Sequence, residues 1–246
     1  MGRAIIMGGE KGGTGKSTLA VNVTIMLSSM GYDVILVDSD KQGSSRNFIN
    51  HRNDRGLTPT PPCIQIRGKH LNTEIENFVS KYDFVIIDAG GKDSVELRSS
   101  MACPAVTDIY APMQPSEFDL ETLATMDELT YFSLSFNPKL KTNIVLNQCP
   151  THSKITVKDD AIELVKAFEN LHIAKTQLGH RVAFSYSISR HQSVIEFENE
   201  KKNSLPAYQA KSYSQKASEE IMSLYKEITG HDFIIKTAKK SEDCLV

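Results

Sequence analysis

The sequence predicts an α/β fold: a mostly parallel, twisted sheet flanked by helices on both faces. Three observations carry that prediction. Short apolar runs rich in β-branched residues alternate with amphipathic stretches along most of the chain, the pattern of repeated βα units. The run Asp83-Phe84-Val85-Ile86-Ile87-Asp88 is apolar without a break between its carboxylates, as expected of a central parallel strand buried on both faces. An apolar strand, a glycine-rich loop and a helix pattern follow one another at the start of the chain.

Strands are expected at 4–7, 34–37, 64–66, 84–87, 105–111, 143–146 and 173–176, where such runs occur. Helices are expected at 16–30, 72–81, 119–134, 156–169 and 212–228, where the apolar spacing is amphipathic. Gly31 follows the first helix, where a left-handed residue can end it. Thr58-Pro59-Thr60-Pro61-Pro62 cannot continue a helix or a central strand and reads as a surface connector. After residue 229 the periodicity is lost. One domain is therefore expected over 1–229, and a polar tail expected to fray over 230–246.

Composition narrows the function classes. With 246 residues, the chain has room for one large domain and little room for two. A net charge of -2 excludes a uniformly basic surface, so any nucleic-acid contact must come from a local patch. Cys63, Cys103, Cys149 and Cys244 are widely spaced and form no CxxC pair, which argues for free thiols rather than a disulfide framework or structural zinc. No window reaches the roughly 18 apolar residues a spanning helix needs, and the start is too short for a signal peptide. A cytoplasmic location is the expectation.

The glycine loop carries the chemistry. Gly12, Gly13 and Gly15 allow backbone N–H groups to turn inward at a helix start, forming an anion nest with Thr14. Lys16 is placed to reach the β- and γ-phosphates of a nucleotide, Ser17 to ligate Mg²⁺, and Thr18 to continue the cradle. The strict pattern GxxxxGK followed by Ser or Thr is missed, because Glu10 stands at the first glycine. The form KGGxGK followed by Ser or Thr fits, with Lys11 ahead of the glycines. Asp88 ends a buried strand and precedes Ala89-Gly90-Gly91, which puts its carboxylate near the loop as a second metal-site candidate. Asp38 and Asp40 flank Ser39 at the end of another strand, and alternation would send both toward the phosphates.

The segment Lys11-Gly12-Gly13-Thr14-Gly15-Lys16-Ser17-Thr18 resembles the deviant Walker A loop of the ParA/MinD family of ATPases. Val34-Ile35-Leu36-Val37-Asp38-Ser39-Asp40-Lys41-Gln42-Gly43 resembles that family's second motif, with Lys41 in place of the usual proline. The resemblance runs from about residue 3 to about 229. It implies a Rossmann-like P-loop fold and Mg²⁺-dependent ATP hydrolysis. It also implies that Asp40 positions the attacking water, that Asp38 supports the metal shell, and that Lys11 reaches a partner's phosphates in an ATP-bound homodimer. Asn147 matches the asparagine that reads adenine.

Residues 175 to 216 contain seven Lys and Arg against three acids, an excess suited to DNA phosphates without base readout. This stretch resembles the ParA C-terminal region, and Arg190, Lys201, Lys202 and Lys211 are the candidate DNA contacts. The closest implied role is a short ParA-type switch for plasmid partition or DNA positioning. Its ATP dimer would bind DNA non-specifically on the nucleoid, and a centromere-binding ParB-like adaptor would stimulate slow hydrolysis. With the glycine loop so near the start, an operator-reading extension and operator-specific repression are not expected. Alternatives are a MinD-like membrane-cycling ATPase and a metabolic enzyme on the same fold. The last residues lack an apolar helical face, so stable membrane association is not expected.

Overall fold

In the computed structural model, residues 2–91, 94–115, 120–151 and 156–234 are described. Within them lies a seven-stranded, all-parallel sheet in the order β3-β2-β4-β1-β5-β6-β7. The strands are β1 (Arg3–Met7), β2 (Val34–Asp38), β3 (Cys63–Gln65), β4 (Phe84–Asp88), β5 (Val106–Met113), β6 (Lys141–Cys149) and β7 (Leu171–Gly179). All seven predicted strands are present. Every residue of β2 and β4 is buried, as their unbroken apolar runs require, whereas β7 at the sheet edge alternates buried and open positions.

Alternation along β1 divides the core. Ile5 and Met7 point into a layer with α1 (Lys16–Met30), α2 (Ser44–Asp54), α8 (Val194–Asn203) and α10 (Lys216–Thr229). Ala4 and Ile6 point into the opposite layer, with α3 (Leu71–Val79), α4 (Val95–Ala102), α5 (Leu120–Leu134) and α6 (Thr156–Lys166). α7 (Val182–Ser189) packs against α8, and the short α9 (Ala207–Ala210) leads into α10. α1 keeps its predicted bounds, and Gly31 ends it in the left-handed conformation at φ 92°.

Other expectations need correction. The helix predicted at 212–228 begins only at Lys216 and runs to Thr229, and the one predicted at 156–169 stops at Lys166. The predicted strand 143–146 extends over Lys141–Cys149, because β5 and β7 pair with it on both sides. α2, α4, α7 and α8 were not expected. The 58–62 segment does connect α2 to β3, but Pro61 is buried and the Pro59 and Pro62 carbonyls accept hydrogen bonds. Residue 119, the expected start of the 119–134 helix, and residues 235–246 of the expected tail, Cys244 included, lie outside the described residues. Cys63, Cys103 and Cys149 are free thiols. Among the described residues, no helix is long and apolar enough to cross a membrane.

This topology places the loops after β1, β2, β4 and β6 along one edge of the sheet, outside the carboxyl ends of its strands. Open α/β sheets bind ligands in that crevice.

Candidate functional site

The loop between β1 and α1 turns through three glycines with positive φ, Gly9 at 153°, Gly13 at 77° and Gly15 at 101°. Their roles differ. A Cβ on Gly12 or Gly13 would meet nothing within 4 Å, so these residues line an open concavity. A Cβ on Gly15 would stand 2.4 Å from Asn147 Nδ2, so here the missing side chain permits a close approach. Asn147 donates from Nδ2 to the Thr14 carbonyl at 2.6 Å, and Gln148 donates from Nε2 to the Gly13 carbonyl at 2.9 Å. The end of β6 therefore braces the loop from below.

Lys16 begins α1 and is only 7% exposed. Its ammonium donates to the Lys11 carbonyl, which folds the side chain back over the loop. Burial lowers its pKa from the ordinary lysine value, and the nearby carboxylates of Asp88 and Asp40 oppose that shift. Lys11 sits half-buried at the loop tip, beside Pro112 and Met113 at the end of β5.

The three predicted carboxylates separate into two kinds. Strand register sets Asp38 level with Asp88, and both are buried, at 0% and 1% exposure. Asp38 accepts from the Asp40 N–H at 3.0 Å through Oδ1 and from the Arg46 N–H at 2.9 Å through Oδ2. Burial raises its pKa, and these backbone donors pull it back. Asp88 accepts from the Ser45 hydroxyl at 2.6 Å and from Ser17, yet burial still pushes its carboxyl up to about 7. Asp40 lies beyond the end of β2, so strand alternation does not govern it; its Oδ1 accepts the Gln42 N–H at 2.9 Å. Lys16 thus feels Asp88 and Asp40, while Asp38 braces the turn that carries Asp40.

The donor set suits Mg²⁺. Ser17 and Asp88 supply hard oxygen atoms beside the open nest. No three His, Cys, Asp or Glu side chains among the described residues form a protein-only metal cage. Mg²⁺ ordinarily takes only one or two protein ligands and fills its octahedron with phosphate oxygens and water.

A cavity of about 370 Å³ adjoins the nest, lined among others by Thr18, Asn147, His180, Arg181 and Phe184. Its volume is within the usual range for a small-ligand site. Arg181 is held by Glu220 of α10, at 2.7 Å from Nη2 and 3.1 Å from Nε, and Glu220 also accepts the Gly179 N–H at 2.9 Å. Sequence reasoning missed this wall, Gln148 and Ser45. The wall comes from the end of β7 and the start of α7, and no local pattern marks it. Ser45 is one serine in a polar stretch.

The basic candidates do not form one cluster. Arg190 and Lys201 both approach the Phe197 ring, at 5.3 and 5.9 Å from its centroid, and Tyr186 stacks on the same ring. Arg190 also pairs with Glu200 at 3.5 Å. Lys202 donates to Gln215 at 2.9 Å, and Lys211 is the exposed C-cap of α9. Two of the three acids in this window face inward: Glu196 binds Arg52, and Glu198 accepts from the Ser218 N–H and hydroxyl. The outward charge is therefore more positive than the bare residue count, except where Glu220 takes Arg181.

Comparisons with known proteins agree with this geometry. The chain is 28% identical over 152 residues to "Maintenance of carboxysome distribution protein A" of Halothiobacillus neapolitanus, covering 59% of this chain and 66% of the relative. It is 27% identical over 169 residues to the chromosome-partitioning ATPase Soj of Thermus thermophilus, covering 56% of this chain and 66% of that protein. It therefore spans just under two thirds of these two relatives. It is 23% identical over 237 residues to the sporulation initiation inhibitor protein Soj of Bacillus subtilis, covering 80% of this chain and 92% of that one. Among solved structures, the ATP complex of a Cyanothece McdA variant superposes with a TM-score of 0.70 at 14% identity, covering 96% of this chain and 99% of that one. A putative plasmid partition protein from Borrelia burgdorferi bound to AMPPNP gives 0.59 at 18% identity, covering 81% and 96%. These structures share the fold. The family profile described as "CobQ/CobB/MinD/ParA nucleotide binding domain" matches residues 5–204. Because that match covers most of the chain and contains the whole glycine loop, this protein belongs to the CobQ/CobB/MinD/ParA nucleotide-binding family.

Proposed function

We propose that the chain is a ParA-type ATPase switch that positions DNA cargo. Its ATP-bound homodimer binds DNA non-specifically on the nucleoid, and a ParB-like adaptor speeds hydrolysis and release. The observation that carries this reading is Lys16, a nearly buried cation aimed at an open glycine nest, with Asp88 and Asp40 beside it. A desolvated ammonium with no phosphate to meet would be a poor structural choice.

In this reading the inward N–H groups around Gly12, Gly13, Thr14 and Gly15 hold the phosphates, and Thr18 lines the way to the base cavity. Lys16 exchanges the Lys11 carbonyl for β- and γ-phosphate oxygens. Ser17 and Asp88 would hold Mg²⁺, with Asp38 behind them, and the ion would supply charge neutralisation for the phosphates. Asp40 orients water in line with the γ-phosphorus, so that water attacks as the bond to the β-phosphate oxygen breaks, releasing ADP and phosphate. Lys11 contributes charge to the partner subunit's nucleotide. Asn147 commits one of its two amide N–H groups to Thr14, and its Oδ1 accepts from the adenine amino group. Arg190 and Lys201 meet DNA phosphates from the Phe197 platform, and Lys202 and Lys211 add weaker charge.

A second reading keeps the switch and changes the cargo to a carboxysome-like body. The similarity to the carboxysome distribution protein favours it. Both readings predict the same test result on DNA. With ATP, the chain binds non-specific DNA in a salt-sensitive way; with ADP it does not; Asp40→Ala retains binding with ATP because only hydrolysis is lost. Equal binding in all three conditions would defeat the switch.

A further inference from the structure

Arg52 is fully buried at 0% exposure, and no larger side chain among the described residues is buried as completely. It lies near the end of α2, and four of its five guanidinium N–H groups meet protein acceptors. Nε donates to the Pro59 carbonyl at 2.7 Å and Nη1 to the His191 carbonyl at 3.1 Å. Nη1 and Nη2 form a fork on Glu196, at 2.8 and 2.6 Å. Glu196 also accepts the Ser193 N–H at 2.7 Å, closing the capping box that starts α8. One carboxylate therefore both receives Arg52 and begins the helix that carries Phe197 and Lys201.

The other end of α2 is fastened to the nucleotide loops. Asp38 accepts the Arg46 N–H, and Ser45 donates to Asp88. The turn carrying Asp40 leads directly into this helix. A second arm reaches α8 independently: Asn22 of α1 accepts the Val194 N–H at 2.8 Å. α1 starts at the phosphate loop, so this arm holds α8 relative to the phosphates.

We propose that Arg52 is a positioning residue that transmits the nucleotide state of the Asp38–Gly43 turn to α8. This inference rests on the nucleotide-switch reading above. An 11-residue helix is a rod of about 16 Å. Displacement of the Asp40 turn tilts that rod against α1. Because Asn22 ties α8 to α1, the tilt must either break the Arg52 fork or reorient the start of α8. A planar fork held by four hydrogen bonds to three different residues resists sliding. An apolar pair of similar size would pack the helices together as well, but would not hold their relative direction.

Hydrogen exchange on the full chain, with and without Mg²⁺ and AMPPNP, tests this, with calorimetry alongside. In the unaltered chain, amides at 44–50 and 194–200 should slow together, by at least about fivefold, as the nucleotide binds. The double variant R52M/E196M should bind AMPPNP within about threefold of the original and keep the response at 44–50, but lose it at 194–200. Glu196→Gln preserves the capping box and side-chain shape, so it serves if the double variant does not fold; it should at least halve the α8 response. An undiminished α8 response in the folded variants overturns the proposal. So does an unaltered chain that binds AMPPNP yet leaves 194–200 unchanged. Absence of binding by calorimetry overturns the nucleotide reading instead, and the coupling with it.

Discussion

Lys16 and Arg190 both belong to regions proposed to meet phosphate, yet they are built differently. Lys16 is 7% exposed, with its pKa lowered by burial and two carboxylates within its field. The Arg190 side chain is 53% exposed, rests on an aromatic ring and shares Glu200 with water around it. Solvent screens the second arrangement and barely reaches the first. The phosphate loop can therefore depend on one cation, whereas the α7–α8 surface must sum several weak ones. Arg52 adds a third case: a fully buried cation that gives four of its five N–H groups to protein acceptors.

That contrast can be broken by experiment. The largest expected effect is at Arg52: Arg52→Ala leaves Glu196 without its partner and should cost about 3–5 kcal/mol in urea unfolding. A loss below about 1 kcal/mol would place Arg52 with the surface cations instead.

Next is the pH dependence conferred by Asp88. Its folded pKa, pushed up to about 7, exceeds its unfolded value, so the native state holds a proton that the unfolded chain has released. This contribution to stability is present at low pH and is lost as pH rises from about 4 to about 7, amounting to roughly 2–4 kcal/mol. Melting curves of the nucleotide-free chain should show this decline relative to Asp88→Asn, which lacks the titrating group. Parallel profiles would show that the Ser45 and Ser17 hydrogen bonds cancel the burial.

Lys16→Ala should weaken Mg²⁺-AMPPNP binding about 100-fold in calorimetry, about 2.7 kcal/mol, with little change in stability. The smallest effect belongs to the surface. Lys201→Ala should weaken DNA binding by no more than about threefold and flatten the log–log salt slope by about one. If that single change abolished DNA binding, the α7–α8 face would depend on one residue as the phosphate loop does.

Much of the candidate nucleotide site is legible in the sequence because its parts are local. The glycines, Lys16 and Ser17 are consecutive, and the apolar runs on either side reveal the strand and helix that frame them. Asp88 was legible for a similar reason, standing at the end of an unmistakable buried strand. α2 was not, since only Phe48 and Ile49 among its apolar residues are buried, too few to form a stripe. α4 and α7 are eight residues each, too short for periodicity to accumulate. α8 carried a readable start in Ser193 and Glu196, but its charged second half hid the helix.

By itself, the sequence determined the parallel sheet, the phosphate loop and the family, because burial pattern and backbone freedom are properties of neighbouring residues. Only the tertiary structure decided that Asp38 braces a turn while Asp40 and Asp88 face Lys16, that Asn147 gives one amide N–H to Thr14, and that Arg52 is interior. Those outcomes depend on desolvation and on hydrogen-bond partners more than 100 residues away, in Asn147 with Thr14 and Arg52 with Glu196. A charge has no fixed role until the fold sets how much water it keeps and which acceptor it meets.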